Sequence, residues 1–262
     1  MKDIRIYSLF SGSSGNCHYI KLGEQEILID AGKNAKAIVE SLTSIGTDIS
    51  NISSIYITHE HADHIAALRV LQKKNKSMRL CAHPLCAQGI AESGADVSEV
   101  TEMTADGCLC DGKLRIKAFS VPHDSRACLG YRIEYGAFGC GLRVGVATDI
   151  GHLTCEVAEG LIGCDAVIVE SNHDVQMLRC GPYPQYLKER IFSANGHLSN
   201  ESCAKLCAYL SKNGATHFML AHVSKENNTR QLAMHLTAEA VAESNARVTA
   251  ALPNEPVCLY ES

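Results

Sequence analysis

Thr58-His59-Glu60-His61-Ala62-Asp63-His64 follows directly on the apolar run Ile55-Tyr56-Ile57. Three imidazoles and a carboxylate packed between positions 59 and 64 have the density of metal ligands rather than of an ordinary polar loop. Neutral imidazole and carboxylate are preferred donors for zinc and other first-row ions. Side chains alternate along a strand, so His59 and His61 project to one side together. Asp63 and His64 fall at the start of the next helix and point elsewhere, so one short loop can feed two adjacent metals. The competing reading is a polar loop that merely happens to hold three histidines, and the spacing weighs against it.

Working outward, further polar residues sit where apolar strands end. Phe119-Ser120-Val121-Pro122 leads to His123, Val144-Gly145-Val146-Ala147-Thr148 to Asp149, and Phe218-Met219-Leu220-Ala221 to His222. In α/β folds ligands gather at the C-terminal edge of the strands. A lone histidine after a strand is ordinarily a satisfied core or surface residue; several such residues together with the first motif reverse that weighting.

The pattern of apolar residues places strands at Ile4 to Phe10, Cys17 to Leu22, Glu26 to Ile29, Ile55 to Thr58, Leu114 to Val121, Leu129 to Glu134, Leu142 to Ala147, Ala166 to Val169 and Thr216 to Leu220. Helical spacing covers Asn34 to Ser44, the stretch through Ile65, Leu68 and Leu71, then Leu153 to Gly160, Tyr186 to Phe192, Ser199 to Leu210 and Asn228 to Ala242. Strands first, then strands alternating with helices, predict helices packed outside two sheets. No internal repeat, low-complexity tract or linker interrupts residues 1–262, so a single domain is the expectation.

Hydrophobic residues make up 46% of the 262 positions and charged residues 20%, a soluble, globular composition. The net charge of -5 argues against wholesale electrostatic capture of nucleic acid, though a local basic groove is compatible with it. The N-terminal stretch has charges scattered through it and no continuous apolar core, so no signal peptide is expected, and no apolar run reaches membrane-spanning length. The odd count of 13 cysteines favours reduced thiols in the cytoplasm. Cys203 and Cys207 share a helical face with Leu206 and Leu210 and read as core residues.

Taken together these residues resemble the metallo-β-lactamase superfamily, whose first motif is His-x-His-x-Asp-His. The resemblance implies an α/β fold, a four-layer αββα sandwich with a dinuclear site at one edge. It further implies that His59, His61 and His123 hold one metal, that Asp63, His64 and His222 hold the other, and that Asp149 bridges both. Asp30, in Ile27-Leu28-Ile29-Asp30-Ala31-Gly32, matches a family position behind the metals, where a buried carboxylate accepts the second N–H of a ligating imidazole. A turn aspartate before glycine is the alternative for Asp30. The ligand set suits two divalent ions, zinc or manganese, with iron as a further option.

Secreted β-lactamases usually carry cysteine where this chain has Asp149. Three segments point instead to phosphodiester chemistry. Ser11-Gly12-Ser13-Ser14-Gly15-Asn16 is a small-residue loop that lets backbone N–H groups approach an anion. Gly196-His197-Leu198-Ser199-Asn200 opens a helix, whose N-terminus attracts phosphate. Glu170-Ser171-Asn172-His173-Asp174 lies at another strand end. These runs, with Gly181-Pro182-Tyr183-Pro184 and Leu220-Ala221-His222-Val223-Ser224, resemble the cytoplasmic bacterial YycJ/WalJ type, 5′→3′ exonucleases on double-stranded DNA. His197 also matches the histidine of a Gly-His-Ser-Thr motif in tRNA 3′-processing relatives, although Leu198 replaces its serine.

The resemblance therefore implies phosphodiester hydrolysis by a metal-bridged hydroxide. Asp63 would orient the nucleophile and His197 would contact the scissile phosphate, with Ser13, Ser14, Asn16, His173, Ser199 and Asn200 as substrate-binding residues. Lys73, Lys74, Lys76 and Arg79 form the densest basic cluster, which reads either as a solvated helix end or as a DNA contact. The expected partner is double-stranded DNA, with no membrane association and no protein partner to infer. Other readings are a small-molecule phosphodiesterase acting on cyclic nucleotides or phosphoribosyl esters, a thioester or lactone hydrolase of the same fold, and a non-catalytic scaffold. A complete set of ligands argues against the scaffold.

Overall fold

A computed structural model describes residues 3–111, 113–136 and 141–262. The chain folds as two compact units. One comprises the residues up to Thr104, Ser125–Leu129 and Ala251–Ser262; the other comprises Ala105–Asp124 and Gly130–Ala250.

In the first unit the strands are β1 (Ile4–Phe10), β2 (Cys17–Leu22), β3 (Gln25–Ile29), β4 (Ile52–Tyr56), β5 (Arg79–Ala82), β6 (Thr101–Glu102) and β14 (Val257–Glu261). They form one sheet in the order β14-β1-β2-β3-β4-β5-β6. β1 is antiparallel to β14 and to β2, and β2 to β3, whereas β3 to β6 run parallel. The helices are α1 (Ala35–Ser44), α2 (Ala62–Ile65), α3 (Leu68–Lys74) and α4 (Ala87–Glu92). Asn34 caps α1 by accepting the Ala37 N–H, satisfying one of the donors that a helix start leaves open. Ile38 and Leu42 of α1, Leu68 and Leu71 of α3 and Ile90 of α4 share one apolar cluster with Leu28, Ile55 and Leu80 of the sheet.

The second unit holds β7 (Cys108–Asp111), β8 (Leu114–Ser120), β9 (Leu129–Tyr135), β10 (Arg143–Ala147), β11 (Ala166–Glu170), β12 (His217–Ala221) and β13 (Arg247–Ala250). Its sheet order is β13-β12-β11-β10-β9-β8-β7. β10 to β13 are parallel, and every residue of β11 is buried, as expected of a strand covered on both faces. Its helices are α5 (Cys155–Leu161), α6 (Val175–Cys180), α7 (Gln185–Phe192), α8 (Asn200–Lys212) and α9 (Arg230–Ala240). Cys203 and Cys207 are buried in α8 beside Leu206 and Leu210, as their helical spacing predicts.

Two mixed sheets with helices are the α/β class expected from the sequence. Several elements differ from expectation. The fourth strand begins at Ile52 and ends at Tyr56, because Thr58 turns its N–H onto Asp30 rather than onto a neighbouring strand. The helix expected through Ile65, Leu68 and Leu71 is broken into α2 and α3. β5, β6, β7, β13, β14, α4 and α6 have no counterpart in the periodicity reading.

Candidate metal centre

Parallel strands bring their C-terminal ends to one edge, and each unit uses that edge to present polar side chains. In the first unit Asp30 follows β3 and the Thr58–His64 loop follows β4. Asp30 is buried and left-handed (φ 62°). Its Oδ1 accepts the Thr58 N–H at 2.8 Å, and its Oδ2 accepts Thr58 Oγ1–H at 2.9 Å and pairs with His64 Nδ1 at 2.7 Å. Burial pushes the Asp30 carboxyl up against the pull of His64 and the Thr58 bonds. Thr58 Oγ1 in turn lies 3.0 Å from His59 Nδ1. The His59 ring packs near-perpendicular to His61, with centroids 4.5 Å apart, and tilted against His64 at 4.1 Å. Three imidazoles of one loop therefore stack into a single cluster. Glu60 turns away from it, accepting the Arg126 N–H at 2.9 Å.

The loop is knitted to the backbone behind it. Asn16 N–H donates to Asp63 O at 2.8 Å, Gly32 N–H to Asn16 O at 2.8 Å and Ala31 N–H to His64 O at 2.8 Å. A Cβ on Gly32 would stand 1.6 Å from Asp63 O, so only glycine permits this approach.

In the second unit Asp149 lies just past β10, Glu170 ends β11, His222 follows β12, and His197 precedes α8. Ligand atoms of these four residues lie within 4.8 Å of one another. Asp149 and His222 also adopt left-handed backbone, at φ 57° and 53°. Glu170 is fully buried. Its Oε1 takes His197 Nδ1 at 2.8 Å and His222 Nδ1 at 2.9 Å, and its Oε2 takes the N–H groups of Ile150 at 2.6 Å and Leu198 at 3.1 Å. Burial alone would raise the Glu170 pKa; the charge and hydrogen bond of His197 and the bonds to His222 outweigh it and bring it to about 2. Burial lowers His222 in the same way, yet Asp149 and Glu170 hold its pKa well above the ordinary imidazole value. His123 Nδ1 lies 3.2 Å from Gly196 O, and burial pushes its pKa down.

One pattern runs through both halves. His59, His64, His123, His197 and His222 each place Nδ1 against a protein oxygen: Thr58 Oγ1, Asp30 Oδ2, Gly196 O and, for the last two, Glu170 Oε1. Such a bond ties Nδ1 to the protein and leaves Nε2 as the outer ring nitrogen, the second-partner arrangement of metal-binding histidines. With Asp63 and Asp149 the donor set is imidazole and carboxylate throughout, and these residues fit divalent metal ions.

The expected substrate-binding residues divide. Ser13 and Ser14 are exposed, and Ser14 Oγ accepts from Lys33 Nζ at 3.1 Å. Ser199 caps α8 by accepting the Ser202 N–H at 3.3 Å. His173 is buried, its ring perpendicular to Phe192 at 5.4 Å between centroids. Asn16 and Asn200, expected to contact substrate, are instead fully buried. Asn16 Oδ1 accepts the Gly12 N–H and its Nδ2 reaches His64 Nε2 at 3.1 Å, so it braces the metal loop. Asn200 spends its amide on Ser171 and Asn228. Lys73, Lys76 and Arg79 line a cleft of about 540 Å³ with Arg69, but Asp96 and Glu99 share it. That cleft lies where β5 begins, at the sheet edge opposite to Asp30 and His59.

Glu170 was singled out in the sequence only as the first residue of the Glu170–Asp174 segment, without a role of its own. Its signal was faint: a lone carboxylate closing the wholly apolar run Ala166-Val167-Ile168-Val169.

A model of the Beta-lactamase superfamily domain matches residues 25–223. The exodeoxyribonuclease WalJ of Streptococcus pneumoniae serotype 2 (strain D39 / NCTC 7466) is 36% identical over 233 residues, covering 87% of this chain and 84% of the relative. The exodeoxyribonuclease YycJ of Bacillus anthracis is 31% identical over 247 residues, covering 90% and 88%. Among solved structures, the metallo-β-lactamase fold protein YhfI from Bacillus subtilis aligns over 100% of both chains with a TM-score of 0.75 at 14% identity, a likeness of fold.

Proposed function

We propose, for a chain that belongs to the β-lactamase superfamily and within it to the WalJ/YycJ exodeoxyribonucleases, that it removes nucleotides from double-stranded DNA in the 5′→3′ direction, using two divalent metal ions. Exodeoxyribonuclease is the activity its relatives carry by name. The observation that carries the reading is the shared anchoring of imidazole Nδ1 atoms, with Asp30 and Glu170 as buried acceptors.

The proposed ligands are His59, His61 and His123 for one ion, Asp63, His64 and His222 for the other, and Asp149 for both. Zinc or manganese suits this set. When bound, such ions polarise a phosphoryl oxygen and lower the pKa of water from about 15.7 toward about 7.

The protein's own residues do the rest. Asp63, on the first turn of α2, is only partly buried and can take a proton from the attacking water. His197 presents Nε2 away from Glu170, placed to donate to a phosphate oxygen or to the leaving oxygen. Glu170 holds that imidazole in one orientation through its Nδ1. The helix start at Ser199 adds partial positive charge beside the phosphate.

Digestion of 5′- and 3′-labelled linear duplex with Mn²⁺ or Zn²⁺, beside Asp149→Ala and a bis(p-nitrophenyl) phosphate assay, tests this reading. Stepwise loss from the 5′ end, absent in the variant, is the expected result. Cleavage of the small ester alone would move the substrate to the small-molecule phosphodiesters. Loss from the 3′ end would overturn the polarity.

A further inference from the structure

Helix α7 is an unusual surface element. Of its eight residues only Ile191 is buried, while Tyr186 is 73% exposed and Phe192 43% exposed. An eight-residue helix with so little buried face gains little from its own propensity, and this one leaves two large aromatic rings open to solvent. In sequence Lys188 and Arg190 lie between Tyr186 and Phe192, with Arg179 at the end of α6, where Lys188 Nζ donates to its carbonyl at 2.8 Å. Glu189 is the one acid of this helix, in a chain whose net charge is -5.

The C-terminal end of α7 leads to the candidate metal-binding residues of its own unit. Arg190 Nε donates to Asp124 Oδ2, and Asp124 Oδ1 lies 3.2 Å from His123 Nε2. Tyr186 stands four residues before Arg190 and so shares its face of the helix. Phe192 packs edge-on against His173 at 5.4 Å. After α7, Ile191 O accepts the His197 N–H at 3.1 Å, so the segment also positions the residue that faces the phosphate.

Resting on the exonuclease reading, we propose that Tyr186 and Phe192 of α7 are a stacking platform for the nucleobases flanking the scissile phosphate, with Lys188 and Arg190 steering the strand backbone. Aromatic rings hold bases without sequence preference because every base offers a π-face, and interleaved cations track the phosphates. Rings with basic residues between them fit a nucleic-acid strand better than an apolar protein partner. The proposal also separates substrate classes: a small ester has no flanking base to stack.

The test uses the full-length enzyme and DNA carrying 2-aminopurine next to the 5′ end. Tyr186→Ala and Phe192→Ala are compared with Tyr209→Ala, an exposed tyrosine on α8 that is 47% accessible. Wild type should quench 2-aminopurine on binding. Tyr186→Ala should lose much of that quenching, and its KM for DNA should rise, relative to its KM for bis(p-nitrophenyl) phosphate, by between about 5-fold and 150-fold, the range one stacked base is worth. Tyr186→Trp should restore both. Quenching and KM equal to those of Tyr209→Ala would overturn the proposal, as would quenching by RNA alone, or a dimer that Tyr186→Ala dissolves while quenching persists. If wild type leaves DNA uncut yet cleaves the ester, the exonuclease reading falls, and the quenching comparison still decides whether α7 holds bases.

Discussion

His197 and His222 converge on one oxygen: Glu170 Oε1 accepts from both Nδ1 atoms, at 2.8 and 2.9 Å. A residue assigned to the phosphate and a residue assigned to a metal are thereby oriented by the same buried carboxylate. Glu170→Gln removes the charge and sets an NH2 group either against the two imidazoles or against the Ile150 and Leu198 N–H groups, none of which it can accept from. Turnover of bis(p-nitrophenyl) phosphate should fall about 10- to 100-fold, with loss of bound metal, the cost typical of removing a ligand's outer partner. Full activity with full metal content, measured by elemental analysis, would make Glu170 a packing residue.

Asp30 performs the corresponding task for His64, and its left-handed backbone tolerates asparagine. Asp30→Asn should therefore fold while weakening metal affinity about 10- to 100-fold. Competition with a chromophoric chelator measures this. Unchanged affinity would show that Asp30 only ties Thr58 into place.

In metal-free protein the ion pairs of the second unit should set the pH response. The His222 pKa is raised, so its contribution is full below the ordinary value of 6.5 and is lost as pH rises through the raised value. The Glu170 pKa is depressed, so its contribution is full above 4.5 and is lost only as pH falls toward about 2. Melting temperatures taken with chelator should decline on the alkaline side of neutrality. Metal must displace the His222 proton, so added zinc should release acid and protect best at higher pH. A flat profile with no proton release would contradict this.

Gly32→Ala should be severe, because the added carbon would overlap the Asp63 carbonyl at 1.6 Å. A destabilisation of at least about 3 kcal/mol is expected, at the upper end for overpacking, together with loss of metal. Denaturant unfolding checks the first and elemental analysis the second. Gly12→Ala provides the contrast. Gly12 also has a positive φ (134°), but nothing lies within 4 Å of the added Cβ, so its cost is backbone strain alone.

His197→Ala should lower kcat on both DNA and the small ester while leaving metal bound, since the Nδ1 acceptors of His59, His64, His123 and His222 all remain. Unchanged kcat would assign His197 to structure.

The Thr58–His64 cluster was legible because its chemistry is local: the proposed ligands of the first motif are neighbours in sequence, and a strand–helix junction dictates their directions. His123, Asp149 and His222 were legible because a buried strand advertises its end. Glu170 was not, since a carboxylate at the end of β11 looks like any strand terminus until His197 and His222, 27 and 52 residues later, fold back onto it. Asn16 and Asn200 misled for a related reason. Small polar residues beside glycine or at a helix start serve an anion or the protein's own backbone equally well, and only burial separates the two. β14 escaped because Val257–Glu261 has no partner nearby in sequence; it pairs with β1, Ile6 opposite Tyr260.

That pairing orders events on the ribosome. The sheet bearing Asp30 and the Thr58–His64 loop starts with β1, yet its outer strand β14 is made after every strand of the other unit. The whole second unit, Ala105–Asp124 and Gly130–Ala250, is made in the interval. A nascent chain can thus form its histidine loop early while β1 still lacks its neighbour. The first unit's sheet therefore gains its outer strand only after the whole second unit has been made, and β1 waits that long for β14.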